Sequence, residues 1–403
     1  MIGVVTTSFP RWKGDPAGCF VHGLAAALAR QGHRVEVLAP SDGGGPVDDA
    51  WHAPGLTIRR IRYAWPRRLE QVCYGAGAPE NLAARPARWA AVPGLVAAMA
   101  AAIADPRYDR IMSHWLVPCG LVGAAARRGR PHLAVAHSGD VHLLARLPLG
   151  RKTALWIADR STSVGFSAPQ VMDTFLRLLG GDRASVERKC LVLPVGIDPP
   201  PDPGKGSLER DGIRKRYGLV GFSILGLGRL VPVKGYDVLI QAVSRHVPDA
   251  TVVIAGQGPL ADELSDQARR LKVRLVLTGV VEEADKARLF SACDVFAAPS
   301  RVLADCRSEG APVAVIEAMA AGIPVVAAAS GGMGSLVAHG RTGLLVPPDD
   351  PDLLGAALAE IRSDPDLRGR LVSAAKDLAK GREWDALLPR YEELLFPSGL
   401  GKK

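Results

Sequence analysis

Residues Ser308 to Ser335 read SEGAPVAVIEAMAAGIPVVAAASGGMGS, and this stretch decides the fold. An acid, Glu309, stands in a loop with Gly310 and Pro312. A second acid, Glu317, follows with seven residues between them, at the head of an Ala-rich run suited to a helix. Gly322 and Pro324 stop that helix. IPVVAAA then has the pattern of a buried strand, closed by the pair Gly331-Gly332. Loop, helix, strand and glycine loop in this order describe one edge of a parallel sheet, where ligands sit at the carboxyl ends of the strands. A helix N-terminus there offers N–H groups to anions, so carboxylates beside it suit neutral hydroxyls, as on a sugar, better than phosphate. For Glu317 the alternative is simply a favourable place at the positive end of its helix.

Working outward, 403 residues are enough for two domains with large cores. The six cysteines are scattered without a CxxC pair, which suggests no zinc site and fits a reducing cytoplasm. MIGVVTTSFP has no basic leader and reads as a first strand rather than a signal peptide. The longest apolar run, Ala90 to Ala104, contains Pro93 and is expected to be too short to cross a bilayer. Charge is divided unevenly. Residues 1–200 hold 24 Lys and Arg against 15 Asp and Glu, whereas residues 201–403 hold 26 of each, so the whole excess lies in the first half. A basic half suggests an anionic partner; a general solubility preference is the plain alternative.

In the first half, IGVVTTSFP, a loop ending at Gly18, the helical pattern CFVHGLAAALARQGH and the strand RVEVLAP form the opening unit of a doubly wound sheet. Gly18 stands just before the helix, where backbone N–H groups could meet a phosphate. Arg59 to Tyr74 mixes five arginines with Tyr63, Trp65 and Tyr74, a composition suited to a membrane surface or simply to a solvated face. No nucleic-acid fold signature accompanies it. His114, His137 and Asp140 fall at the carboxyl ends of two further strands. A lone histidine is usually structural, and that is the default for His114.

Pro199 to Gly206 cannot hold a helix or a central strand and marks a domain boundary. Beyond it, FSILGLGRLVPVKGYDVLIQAV reads as strand, glycine loop and helix, with Arg229 and Lys234 in the loop. A forked guanidinium and a compact ammonium suit a diphosphate. Gly256-x-Gly258-x-x-Ala261 fits the loose dinucleotide fingerprint and raises an oxidoreductase reading. Pro259 in the turn, the mid-chain position and the lack of a hydride-transfer site weigh against it. No Asp-x-Asp pair stands in a plausible loop, so no metal requirement is expected.

Glu309 and Glu317 at this spacing, AMAAGIPVVA, the glycine pair and HGRTGLLVPPDD together resemble the retaining glycosyltransferases of family four, and the similarity runs from the first strand to the last helix. The resemblance implies an α/β GT-B fold, two Rossmann-like doubly wound domains facing across a cleft. These would be an acceptor-side domain at 1–198, a linker at 199–206 and a nucleotide-sugar-binding domain at 207–382, with a tail helix at 383–396 packing back on the first. It implies a UDP- or GDP-linked sugar as donor, no cofactor and no metal, and same-face transfer of a hexose. Carried over, Arg229 and Lys234 neutralise the departing diphosphate, Glu309 holds sugar hydroxyls, Glu317 holds the ribose, and His137 lies beside the sugar. His137, Arg229, Lys234 and Glu309 are then the catalytic set. Gly18, Gly228, Gly258, Val280, Gly310, Ala311, Pro312 and Val313 complete the donor site, and His114 and Asp140 face the acceptor. The acceptor is a glycan, a lipid or a small molecule. The basic half points to a lipid-linked or phosphate-bearing one, with the protein cytoplasmic and attached peripherally at the inner membrane face. A GT-B epimerase or hydrolase, a transferase using a small soluble acceptor, and a non-catalytic nucleotide-sugar-binding subunit are the other readings.

Overall fold

The computed structural model describes residues 1–75, 77–199, 207–304, 307–310 and 312–397. The chain divides into two compact units, Met1–Gly196 with the segment that begins at Trp384, and Ile197–Glu383. Residues 200–206 of the proline-rich segment read as a linker lie outside the described residues.

In the first unit, β1 (Ile2–Val5), β2 (Val35–Pro40), β3 (Leu56–Ile61), β4 (Arg110–His114), β5 (His132–Ala136), β6 (Ser163–Phe166) and β7 (Cys190–Val192) form one sheet in the order β3-β2-β1-β4-β5-β6-β7. Every pairing is parallel. The central strands are short apolar runs buried along their length, as parallel strands between crossover helices must be. In the second unit, β8 (Ser223–Leu227), β9 (Thr251–Ala255), β10 (Arg274–Gly279), β11 (Val295–Ala298), β12 (Val325–Ala328) and β13 (Leu344–Val346) pair in parallel in the order β10-β9-β8-β11-β12-β13. The order reverses between β1 and β4 in one sheet and between β8 and β11 in the other. At such a switch point the loops diverge and leave a crevice at the carboxyl ends of the strands.

Helix ends follow local chemistry. Val313–Ala321 stops at Gly322, whose φ of 79° is left-handed. Asp350 and Asp364 each cap a helix that begins with proline. The last helix, Trp384–Leu395, belongs to the first unit, where the Tyr391 hydroxyl donates to the Pro194 carbonyl and Glu392 pairs with His33 at 2.7 Å. The apolar run around Pro93 is longer as structure than as sequence. A 3-10 turn, Pro86–Ala91, leads straight into the helix Val92–Ile103, a span long and apolar enough by composition to cross a bilayer. Its Leu95, Met99, Ala102 and Ile103 nonetheless form a stripe against the core.

The stretch Arg59 to Tyr74 is less of a surface than its composition suggests. Tyr63 and Tyr74 are buried, and Arg60 turns inward to Asp49 (2.7 Å) and the Tyr74 hydroxyl (3.1 Å). The buried Glu70 carboxylate accepts the Tyr63 N–H at 2.7 Å, which pins the loop. Of its three aromatics only Trp65, 80% exposed, remains outside, along with Arg59, Arg62, Arg67 and Arg68.

The first unit also holds buried histidines. His132 on β5 lies between Ser113 and Ser161, at 2.8 and 3.1 Å. Burial pushes His132 and His114 down to about 3 and His22 to about 4. These rings stay neutral in the folded chain while their unfolded counterparts take up protons below about pH 6.5. Unfolding therefore binds protons, and stability is lost as pH falls through that range, by about 2 kcal/mol per histidine at pH 5. His246 and His339, the histidines of the second unit, stand exposed. Hydrogen exchange at pH 7 and pH 5 should show the first unit loosening selectively. Equal protection of its strands at both pH values would refute this.

Candidate active site

In the second unit, three loops converge on Glu309. The loop after β8 contributes Lys234, whose ammonium donates to one oxygen of the Glu309 carboxylate. The end of β11 contributes Ser300, whose hydroxyl donates to the other oxygen at 2.7 Å. The loop after β12 contributes the Gly332 N–H, which donates to the Glu309 carbonyl at 2.8 Å. Lys234 and Glu309 are largely buried, and they line a small hollow with Leu227, Tyr236, Ser300 and Pro312. Burial, aided by the Glu309 charge, keeps the Tyr236 phenol protonated by raising it far above its ordinary value. Arg229 lies exposed in the same loop as Lys234.

Glu317 lies on the helix Val313–Ala321 and pairs with Lys286 at 2.7 Å. Lys286 also meets Glu283, at 2.8 Å. Burial acts against the Lys286 ammonium, but the two carboxylates outweigh it and hold its affinity for the proton above the ordinary value. Gly310 and Pro312 are buried in the loop that opens this helix, and Val313 is its first residue. Ala311 lies outside the described residues. Val280, just past β10, is 48% exposed and so open to a ligand. The glycines of the dinucleotide-like spacing stand where close backbone packing leaves no room for a side chain. A Cβ at Gly256 would lie 1.9 Å from the Gly228 carbonyl oxygen, and one at Gly258 2.4 Å from that of Leu230. Ser300 and Lys286 escaped the sequence reading, because only the sheet order brings them to Glu309 and Glu317.

Gly18, His114, His137 and Asp140 all belong to the first unit. Gly18 opens the helix Cys19–Arg30 with φ 64°, and a side chain there would strike the Ser8 carbonyl, so the glycine is required by the loop's own path. His114 ends β4 and His137 follows β5; Nδ1 of the first and Nε2 of the second are 3.0 Å apart, the rings 13° from parallel. Phe20 and Trp115 pack on His137 with ring centroids at 4.8 and 5.0 Å. Asp140 is buried, and its carboxylate accepts the N–H of Leu116 at 2.6 Å and of His137 at 2.9 Å. Both oxygens serve the backbone, so Asp140 braces the two histidine loops and does not reach out to an acceptor. Burial raises its pKa although these N–H donors oppose the shift. Among the described residues, no group of three or more His, Cys, Asp or Glu could hold a metal ion.

Two doubly wound sheets with candidate site residues at their carboxyl edges are the parts of a sugar-nucleotide transferase. The chain matches the family model "Glycosyltransferase Family 4" over residues 17–199 and "Glycosyl transferases group 1" over residues 219–378. It is 30% identical to a GDP-mannose-dependent alpha-(1-6)-phosphatidylinositol monomannoside mannosyltransferase of Mycobacterium tuberculosis, over 97% of this chain and 95% of that one. It is also 30% identical to a D-inositol 3-phosphate glycosyltransferase of Xylanimonas cellulosilytica, over 92% and 89%. Among solved structures, Anabaena HepE with UDP and glucose aligns at a TM-score of 0.73 and 22% identity, over 98% of this chain and 99% of that one. The sucrose-phosphate synthase of Thermosynechococcus elongatus aligns at 0.74 and 22%, over 98% and 97%. The fold is GT-B. The chain belongs to glycosyltransferase family 4 and is a glycosyltransferase.

The brace behind Glu309 can be tested apart from activity. Gly331 has φ 53°, and a Cβ there would lie 2.2 Å from the Glu309 carbonyl oxygen. Gly331→Ala should cost roughly 2–4 kcal/mol from left-handed strain and displacement of the Glu309 loop. Gly334, with nothing within 4 Å of its Cβ position, is the control and should be near neutral as Gly334→Ala. Urea denaturation of both variants measures the difference. Equal midpoints would remove the brace.

Proposed function

We propose that the chain transfers mannose from GDP-mannose to a phosphatidylinositol-type acceptor, with retention of configuration and without a metal ion. The observation that carries this reading is the Lys234–Glu309–Ser300 constellation at the β8/β11 switch point. Relatives covering nearly the whole chain use GDP-mannose with a phosphatidylinositol mannoside, or glycosylate inositol 3-phosphate. We assign donor binding to residues 207–382 and acceptor binding to residues 1–198 with the helix at 383–396. Lys234 and Arg229 stabilise the departing diphosphate, each through charge-assisted bonds. When the donor binds, a phosphate oxygen replaces the Glu309 carboxylate at Lys234, and Glu309 turns to the sugar hydroxyls. Glu317, held by Lys286, accepts from the ribose. We assign no carboxylate as a covalent nucleophile, and attack then comes from the face that the diphosphate leaves. A phosphate oxygen takes the acceptor proton.

Incubation with a panel of nucleotide sugars, following nucleotide release and product, tests this. Release with GDP-mannose should persist in EDTA and depend on a phosphatidylinositol acceptor. Acceptor-independent release would instead indicate a hydrolase. Arg229→Ala and Lys234→Ala should each lower turnover at least tenfold, from about 1.5–3 kcal/mol per lost contact. Glu309→Ala should cripple transfer while GDP still binds by calorimetry, whereas Glu317→Ala should weaken GDP binding. Full turnover in both cation variants would overturn the assignment.

A lipid acceptor requires access to a membrane surface. Exposed Trp65 stands among the exposed Arg62, Arg67 and Arg68, and Trp89 is 58% exposed on the turn that Arg88 ties to Gln71. We place the protein in the cytoplasm, docking peripherally on anionic lipid through this face. Each basic residue near such a surface contributes about 1 kcal/mol, screened by salt. The protein should sediment with anionic vesicles at low salt, less at high salt, and hardly with neutral ones. The variant with Trp65→Ser, Arg67→Ser and Arg68→Ser should lose most of that binding. Equal, negligible sedimentation with both vesicle types would point to a soluble acceptor.

A further inference from the structure

Two hydroxyl-bearing residues line the hollow at the β8/β11 switch point, Ser300 and Tyr236. Ser300 is committed, because its hydroxyl donates to the Glu309 carboxylate at 2.7 Å. Tyr236 is 3% exposed, and its hydroxyl forms no hydrogen bond with a described residue. A buried tyrosine ordinarily finds a partner for its O–H. Glu309 does not serve, since one of its oxygens accepts from Lys234 and the other from Ser300.

Two glycines show where the phenol points. A Cβ on Gly226, within β8, would stand 2.8 Å from the Tyr236 ring. A Cβ on Gly228, just past β8, would stand 3.3 Å from the Tyr236 hydroxyl oxygen and 3.2 Å from the Lys234 ammonium nitrogen. The phenol therefore runs along β8 towards its carboxyl end, and its hydroxyl and the ammonium come together over one glycine. Their relative position is fixed by the residue between them. Gly235 has φ 65°, and a Cβ there would strike the Pro299 carbonyl just past β11. The turn that carries Lys234 and Tyr236 is thus pressed against the neighbouring strand end.

Burial and the Glu309 charge keep the phenol protonated, so its O–H is a constant donor. A neutral O–H beside an ammonium is complemented by a group with several acceptor oxygens and a negative charge, as a phosphate has. A single neutral sugar hydroxyl would suit the phenol but not the ammonium.

We propose that Tyr236 is a phosphate-binding residue of the donor site: its hydroxyl donates to an oxygen of the leaving diphosphate, next to the oxygen that Lys234 holds. The proposal rests on the reading that Lys234 meets that diphosphate.

The test is calorimetry of the full-length protein with GDP, UDP and inorganic pyrophosphate, joined to urea denaturation without ligand. Tyr236→Phe keeps the ring and removes only the oxygen. This variant should bind whichever of the three ligands the parent binds at least tenfold more weakly. Its urea midpoint should equal or exceed the parent's, since the hydroxyl has no bond within the protein to lose. Lys234→Ala is the reference and should weaken the same ligands at least as much. Unchanged affinity in Tyr236→Phe overturns the proposal; weakened binding in Lys234→Ala alone would leave the diphosphate reading standing without Tyr236. Unchanged affinity in both variants, or a parent that binds none of the three ligands, overturns that reading as well. A lowered urea midpoint in Tyr236→Phe would make the hydroxyl a structural group and likewise overturn the proposal.

Discussion

The carboxylate of Glu309 is the tie on which the second unit's site depends. One side chain and its own carbonyl fix three loops, from the ends of β8, β11 and β12, through Lys234, Ser300 and Gly332. Each loop alone is short and would be mobile. A largely buried ammonium beside a largely buried carboxylate is tolerable only because each compensates the other's lost hydration. The arrangement also keeps a positive charge in a poorly solvated place, where charges interact more strongly than in water.

The first unit uses a carboxylate for the same end by different means. Asp140 also joins two loops at the carboxyl edge of a sheet, but its partners are backbone N–H groups and not a cation. Backbone donors cannot be displaced by a ligand. The Asp140 brace belongs to the path of the backbone itself, whereas the Glu309 pair joins two side chains. The difference matches what each holds: a strained pair of turns in one case, a buried cation in the other.

Much of this organisation was legible in the sequence. The apolar runs bounded by glycine and proline became buried parallel strands, and Gly322 ended its helix as its position required. The loops that carry Arg229, Lys234 and Glu309 could be read from their glycines. What could not be read were partners distant in sequence. Ser300 and Lys286 are ordinary residues in their own segments and acquire meaning only when β11 lies beside β8 or one helix beside another. The basic stretch misled because composition does not record direction: Arg60 and two tyrosines point inward while their neighbours point out. The dinucleotide-like glycines show the same limit, since a pattern that admits a phosphate also admits another stretch of backbone.

The second unit is an insertion within the first. Its two ends lie side by side, Ile197 donating to the Arg382 carbonyl at 2.9 Å and bridging to Glu383, before the chain rejoins the first unit at Trp384. A segment that leaves and re-enters at neighbouring points can be exchanged as a cassette without lengthening or threading its host. Within such an architecture, recombination between relatives can swap one half of a catalyst's substrate range while the other is inherited intact. Here the cassette would run from Ile197 to Glu383, and its boundaries can be cut without severing any strand of either sheet.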